Sequence, residues 1–219
     1  MKTQRVLRLL ALVCLLPLAA HAEPPAADAV VPQLQKGGYV VFMRHPKTNE
    51  DQADTDPLHL ENVQAQRQLT EDGRQQARAI GQAFRTLDIP VEKVVASRFQ
   101  RAQEAAKLLD LGEVVASLDC TEGGLVVSPR ENKRRAAALR ALLGTRPAAG
   151  KNLVIVSHRP NLQDAAGKDL ADVGEAEMVV FEPLGDSQFK VVARVAQPET
   201  WIAWAQQSPA GVGASPAPR

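Results

Sequence analysis

The sequence is short of the residues that usually announce a function. Its 219 residues include 2 cysteines, 1 tyrosine, 2 tryptophans and 5 phenylalanines. Two cysteines exclude a disulfide-built scaffold and a paired-cysteine metal site. There is no excess of charge: 26 basic and 25 acidic residues leave +1, which excludes a strongly basic nucleic-acid binder and an acidic tail protein. No glycine-rich phosphate loop and no His-Glu-x-x-His helix is present. The apolar run Leu9 to Ala19 is too short to span a bilayer as a helix, and no second run is long enough either.

What is there begins with an address. Lys2, Arg5 and Arg8 precede the apolar run, and Ala20-His21-Ala22 has the small-x-small form of a signal-peptidase site. This predicts a cleaved signal peptide over residues 1–22 and a periplasmic or secreted protein with no stable membrane insertion. The leader carries three of the 26 basic residues and no acid. The mature chain then has 23 against 25 and a net charge of −2. One cysteine, Cys120, remains, so the fold must be held by its core, or use that thiol between chains.

Residues 23–37, rich in Pro and Ala, read as a loose lead-in, and residues 207–219 as a disordered tail. Between them, residues 38–206 read as one domain. Tyr39 to Met43, Val94 to Ala96 and Leu153 to Val156 are short continuous apolar runs, as buried strands have. Helical stretches separate them: one from Thr70 with Ala77, Ile80, Phe84 and Leu87 in phase, and one from about Gln100 to Leu111. A third opens at the capping box Ser128-Pro129-Arg130-Glu131 and stops at Gly144. Met178 to Phe181 and Phe189 to Val195 flank a turn and read as a hairpin. Strand and helix in alternation predict an α/β fold, a mostly parallel sheet with helices on its faces.

In open sheets of this kind, ligands bind beyond the carboxyl ends of the strands. There the sequence places Arg44 and His45, then Ser97, Arg98 and Arg101, then Ser157 and His158. Arginine forks match phosphate oxygens, and a neutral imidazole nitrogen can attack phosphorus. Such a pocket needs no metal and no cofactor.

Four ordered motifs resemble the histidine phosphatase superfamily, also called phosphoglycerate-mutase-like. Arg44-His45 resembles its R-H-G signature, Leu69-Thr70-Glu71-Asp72-Gly73-Arg74-Gln75-Gln76-Ala77 its L-T-x-x-G-x-x-Q-A helix start, Ser97-Arg98-Phe99-Gln100-Arg101-Ala102 its S-P-x-x-R-A motif, and Ser157-His158 its second histidine motif. The resemblance runs from about Gly38 to Val195. It implies a three-layer sandwich. It also implies that His45 is the nucleophile that becomes phosphohistidine, that Arg44 and Arg101 bind phosphate with His158, and that Thr48 lies beside the phosphate.

Two departures stand out. Pro46 replaces the family glycine and brings no N–H. The family's acid motif, a Glu followed by a Gly-x-x-Gly segment, has no good match. Glu177 is the candidate general acid, with Glu175 a near alternative; Glu122 matches poorly by context, and the polar loop 47–62 adds Glu50, Asp51, Asp54 and Asp56. His59 in that loop has no spacing that requires a metal. The resulting expectation is an exported, metal-independent phosphatase acting through phosphohistidine on a small phosphorylated substrate, not on nucleic acid. The alternatives are a phosphate-ligand-binding protein of the same fold and a phosphomutase.

Overall fold

The computed structural model describes residues 27–124 and 126–208. The expected leader and the chain from residue 209 onward lie outside the described residues. Helix α1 (Ala27–Lys36) leads into strand β1 (Val40–Arg44). Then come α2 (Glu71–Thr86), β2 (Val91–Ser97), α3 (Gln100–Leu109), β3 (Val114–Ser117), α4 (Pro129–Leu143), β4 (Asn152–Ser157), α5 (Arg159–Ala166), the pair β5 (Met178–Gly185) and β6 (Gln188–Val195), and α6 (Pro198–Gln207).

The six strands form one sheet in the order β3-β2-β4-β1-β5-β6. β1, β2, β3 and β4 are parallel, and β5 is antiparallel to both β1 and β6. The sheet is therefore mostly parallel, with β5 alone reversed, and a tight turn at Asp186 and Ser187 joins β5 to β6. Both turn residues have positive φ, which a two-residue hairpin turn demands.

Alternation along β1 explains the three layers. Val41 and Met43 pack on one face with Ile80 and Phe84 of α2, Leu109 of α3 and Trp201 of α6. Val40 and Phe42 pack on the other with Leu139 and Leu143 of α4 and Leu162 of α5. A strand's successive side chains point to opposite faces, so a strand buried on both must be apolar throughout.

One expectation needs correction, and the burial of Cys120 decides between two alternatives. Part of the expected lead-in is helix α1, with Val30, Val31 and Leu34 buried against the first face. Its Ala-rich spacing carries an apolar stripe that composition alone conceals. Cys120 is wholly buried and its thiol is pushed up to about 12 by that burial, so it presents no sulfur to another chain. The runs at Val114 to Ser117 and Pro198 to Gln207 also form elements that periodicity did not single out.

One glycine positions the site. Thr70 caps α2 by accepting from the Gly73 N–H at 3.0 Å, while the Thr70 N–H donates to the Lys47 carbonyl at 3.0 Å. A Cβ at Gly73 would collide with that same carbonyl. Gly73 thus lets the chain just after His45 dock on the first turn of α2.

Candidate active site

Three adjacent strands end together. Arg44 on β1 is level with Ser157 on β4, and Ala96 on β2 with Val156. The His45 N–H donates to the Ser157 carbonyl at 3.0 Å, which extends the ladder one residue past β1. The two histidines, 113 positions apart in sequence, have ring centroids 5.3 Å apart. Both rings are buried.

His45 Nδ1 lies 2.9 Å from the Pro46 carbonyl oxygen. A carbonyl only accepts, so Nδ1 carries the proton and Nε2 keeps its lone pair. Burial, and then the charges of Arg101, Arg44 and Arg67, push the imidazole pKa down from 6.5 to about 3 against the pull of that hydrogen bond. The ring is therefore neutral and fixed in the tautomer that a nucleophile at Nε2 requires. Pro46 lacks the family N–H but still supplies the orienting carbonyl.

His158, the cap of α5, places Nε2 at 2.7 Å from Ser97 Oγ, which also accepts from the Phe99 N–H at 3.2 Å. The Phe99 ring meets the imidazole edge to face. Its Nδ1 stands 3.4 Å from Glu122 Oε1, yet without hydrogen-bond geometry, so that buried nitrogen has no partner. Burial and Arg101 hold its pKa well below the ordinary value.

Arg101, in the first turn of α3, is wholly buried and lies over the Phe99 ring. Its two terminal nitrogens donate to Asp54 Oδ1 at 2.9 Å and Glu122 Oε1 at 2.7 Å, and its Nε has no partner. A guanidinium held on both sides is pre-aimed, so little rotamer freedom is lost when an anion arrives. Arg44 donates to the Val173 carbonyl at 3.0 Å and lies 3.8 Å from Glu175. Thr48, buried, donates to the same Glu175 carboxylate at 2.8 Å. The structure therefore brings together five of the expected residues: Arg44, His45, Thr48, Arg101 and His158.

Glu177 is the exception. Its carboxylate is buried, but Arg194 of β6 grips it at 2.7 Å and the Gly174 N–H donates to it at 2.8 Å. The carboxylate is spent on a structural ion pair. What Glu177 gives the strand end is its backbone, whose carbonyl accepts from the Arg44 N–H. The acids beside the histidines and arginines are instead Glu122, Glu175 and Asp54. Glu122 had no motif context to recommend it; only the 3-10 turn Leu118–Cys120 after β3 delivers it to Arg101 and His158.

Elsewhere in the 47–62 loop, His59 pairs with Asp56 at 2.6 Å in an exposed position away from both histidines' hydrogen bonds. Among the described residues, no group of three or more His, Cys, Asp or Glu side chains is placed to hold a metal ion. Arg98 is exposed rather than in the pocket, and its N–H donates to Thr121 Oγ1. Arg67, whose charge reaches both imidazoles, follows no motif and had no signal in the sequence. Its backbone N–H donates to Asp54 at 2.9 Å, which ties the loop to the pocket.

Comparison with known proteins agrees with this geometry. The family model "Histidine phosphatase superfamily (branch 1)" matches residues 40–123. A mitochondrial serine/threonine-protein phosphatase, Pgam5 of Drosophila grimshawi, is 37% identical over 75 residues, which are 34% of this chain and 23% of that protein. The match thus spans about a quarter of that relative's length. Among solved structures, the protein histidine phosphatase SixA complexed with tungstate superposes with a TM-score of 0.51 at 18% identity, over 74% of this chain and 98% of that one. A phosphoserine phosphatase mutant from Entamoeba histolytica in complex with phosphoserine gives 0.51 at 15% identity, over 72% and 96%. A mycobacterial glucosyl-3-phosphoglycerate phosphatase with VO3 gives 0.52 at 15%, over 74% and 100%. The family-model match over residues 40–123, the ordered motifs and the strand-end histidines together support the histidine phosphatase superfamily, with the solved structures showing the same fold.

Proposed function

We propose that this protein is a phosphatase that hydrolyses a phosphate monoester through a phosphohistidine at His45. The observation that carries the reading is His45 itself. It is a buried, neutral imidazole whose Nδ1–H is tied to the Pro46 carbonyl, with Arg44 and Arg101 beside it. Nε2 attacks phosphorus in line, and the P–O bond to the alcohol breaks on the opposite side. Arg44 and Arg101 stabilise the equatorial oxygens, which gives the unpartnered Nε of Arg101 its partner. Glu122 is the general acid and passes a proton to the leaving oxygen. As a carboxylate it then takes a proton from the water that attacks phosphohistidine, and phosphate departs with His45 restored.

No step of this scheme requires a metal, so EDTA should leave turnover intact. The leader supports export, which N-terminal sequencing of the processed chain tests: a start at Glu23 supports it, and an intact residue 1 on the purified native protein removes it. For the chemistry, a rapid quench under conditions that spare acid-labile phosphohistidine should find phosphate on His45 during turnover. Hydrolysis that persists in His45→Ala, with no phosphate on the wild-type residue, would overturn the proposal.

A further inference from the structure

One acid beside the histidines has no task in the phosphatase chemistry. Asp54 and Glu122 each accept a hydrogen bond from Arg101. Glu175 lies instead against Arg44 and Thr48. Thr48 Oγ1 donates to its Oε1 at 2.8 Å, while Arg44 Nη2 stands 3.8 Å from the same oxygen, too far for a hydrogen bond. Its Oε2 has no hydrogen-bond partner among the described residues.

The backbone fixes this acid beside the pocket. The Ala176 N–H is shared by the Arg44 and His45 carbonyls, at 3.2 and 3.3 Å, and the Arg44 N–H donates to the Glu177 carbonyl at 3.1 Å. Ala176 has a φ of 61° and is wholly buried. A left-handed alanine persists only where its surroundings hold it. The turn that carries Glu175 is therefore fixed to the end of β1.

A carboxylate has acceptors and no donor. A phosphoryl oxygen that meets Oε2 without a proton sets one negative charge against another and is repelled. One that keeps its proton donates to Oε2 and is held. The charges of Arg159 and Arg67, which also act on Arg44, draw in either form. Glu122, the other acid whose charge reaches Arg44, is already bonded to Arg101. The contact with Oε2 sorts the two forms, since it attracts one and repels the other.

We propose that Glu175 is a specificity-determining residue: its carboxylate accepts a hydrogen bond from a P–OH group, so the site takes the singly charged, protonated phosphoryl group and rejects oxyanions that carry no proton. The inference rests on the phosphatase reading for the placing of phosphate beside Arg44 and Thr48. Titration calorimetry with inorganic phosphate and sulfate tests it without turnover. At about pH 5.5 phosphate is mainly the protonated monoanion, whereas sulfate has no proton to give. Wild type should then bind phosphate at least about ten-fold more tightly than sulfate. Glu175→Gln keeps an acceptor for Thr48 and gains a donor for an unprotonated oxygen. It should bring the ratio toward one, chiefly by tightening sulfate.

Raising the pH to about 8 removes the phosphate proton and should weaken phosphate binding several-fold in wild type and much less in the variant. His45 stays neutral over that range, and His158 is depressed for the same reasons. His59, raised by its hydrogen bond to Asp56, titrates alike in both proteins. Equal binding of phosphate and sulfate by wild type overturns the inference. So does a variant that weakens both anions in proportion, which would mean that Glu175 only aims Arg44 and Thr48. Either result leaves the phosphatase reading standing, because phosphate trapped on His45 decides that separately. If wild type binds neither anion, the inference falls together with the placing of phosphate at Arg44.

Discussion

The neutrality of His45 has a cost that acid should reveal. In the unfolded chain its imidazole titrates near 6.5, whereas in the folded chain burial and three arginines hold it to about 3. Between those values the unfolded state binds a proton that the folded state refuses. Stability therefore falls as pH drops through 6.5 and goes on falling toward 3. From about pH 7.5 to about pH 5 the His45 contribution is ~2 kcal/mol, about thirty-fold in the folding equilibrium. The figure hardly depends on the folded value, since any folded pKa below about 4 leaves the native imidazole neutral at that acid limit. His158, depressed for the same reasons, adds a loss of the same sign. Urea denaturation of wild type and His45→Gln at the two pH values measures it. The wild type should lose ~2 kcal/mol more than the variant. Equal losses would mean that His45 already carries a proton in the native state, and the neutral-nucleophile argument would fall.

Glu122→Gln should slow alkyl phosphates by roughly 10²–10⁴-fold and aryl phosphates much less, since good leaving groups need no proton; an equal loss on both would deny Glu122 the acid role. Glu177→Gln strips a buried carboxylate from Arg194, which keeps Asp172 at 3.0 Å. It should cost about 1–3 kcal/mol of stability in the same urea experiment without changing the alkyl-to-aryl ratio. A changed ratio would return Glu177 to the chemistry. Asp54→Asn removes one of the two carboxylates that pre-aim Arg101 and should weaken vanadate binding about five-fold by titration calorimetry. Tighter binding would show that Asp54 competes with the anion rather than aiming Arg101.

Much of the fold was legible because its signals are local. Val40 to Met43 and Leu153 to Val156 are apolar on both faces, and only a covered sheet buries such strands. The Thr70 and Ser128 caps each accept the N–H three residues on, as their spacing implied. Arg44, His45, Arg101 and His158 follow from their places at strand ends, since a parallel sheet brings those ends to one edge. Helix α1 was lost to composition, because alanine and proline say little while the buried stripe of Val30, Val31 and Leu34 says much.

The proposed proton donor lay beyond such reasoning. Glu122 and Glu177 are both acids in short polar contexts near a strand end, and nothing in their neighbours separates them. Arg194 separates them, for it lies opposite β5 on β6 and claims Glu177 through a register set by the hairpin. Glu122 is left to Arg101 and His158, which reach it from the first turn of α3 and from the end of β4. The few aromatics, the balanced charge and the nearly absent cysteine settle the class of protein, since they depend on composition. Which carboxylate meets which cation depends on distances between residues far apart in sequence, and those exist only once the sheet has closed.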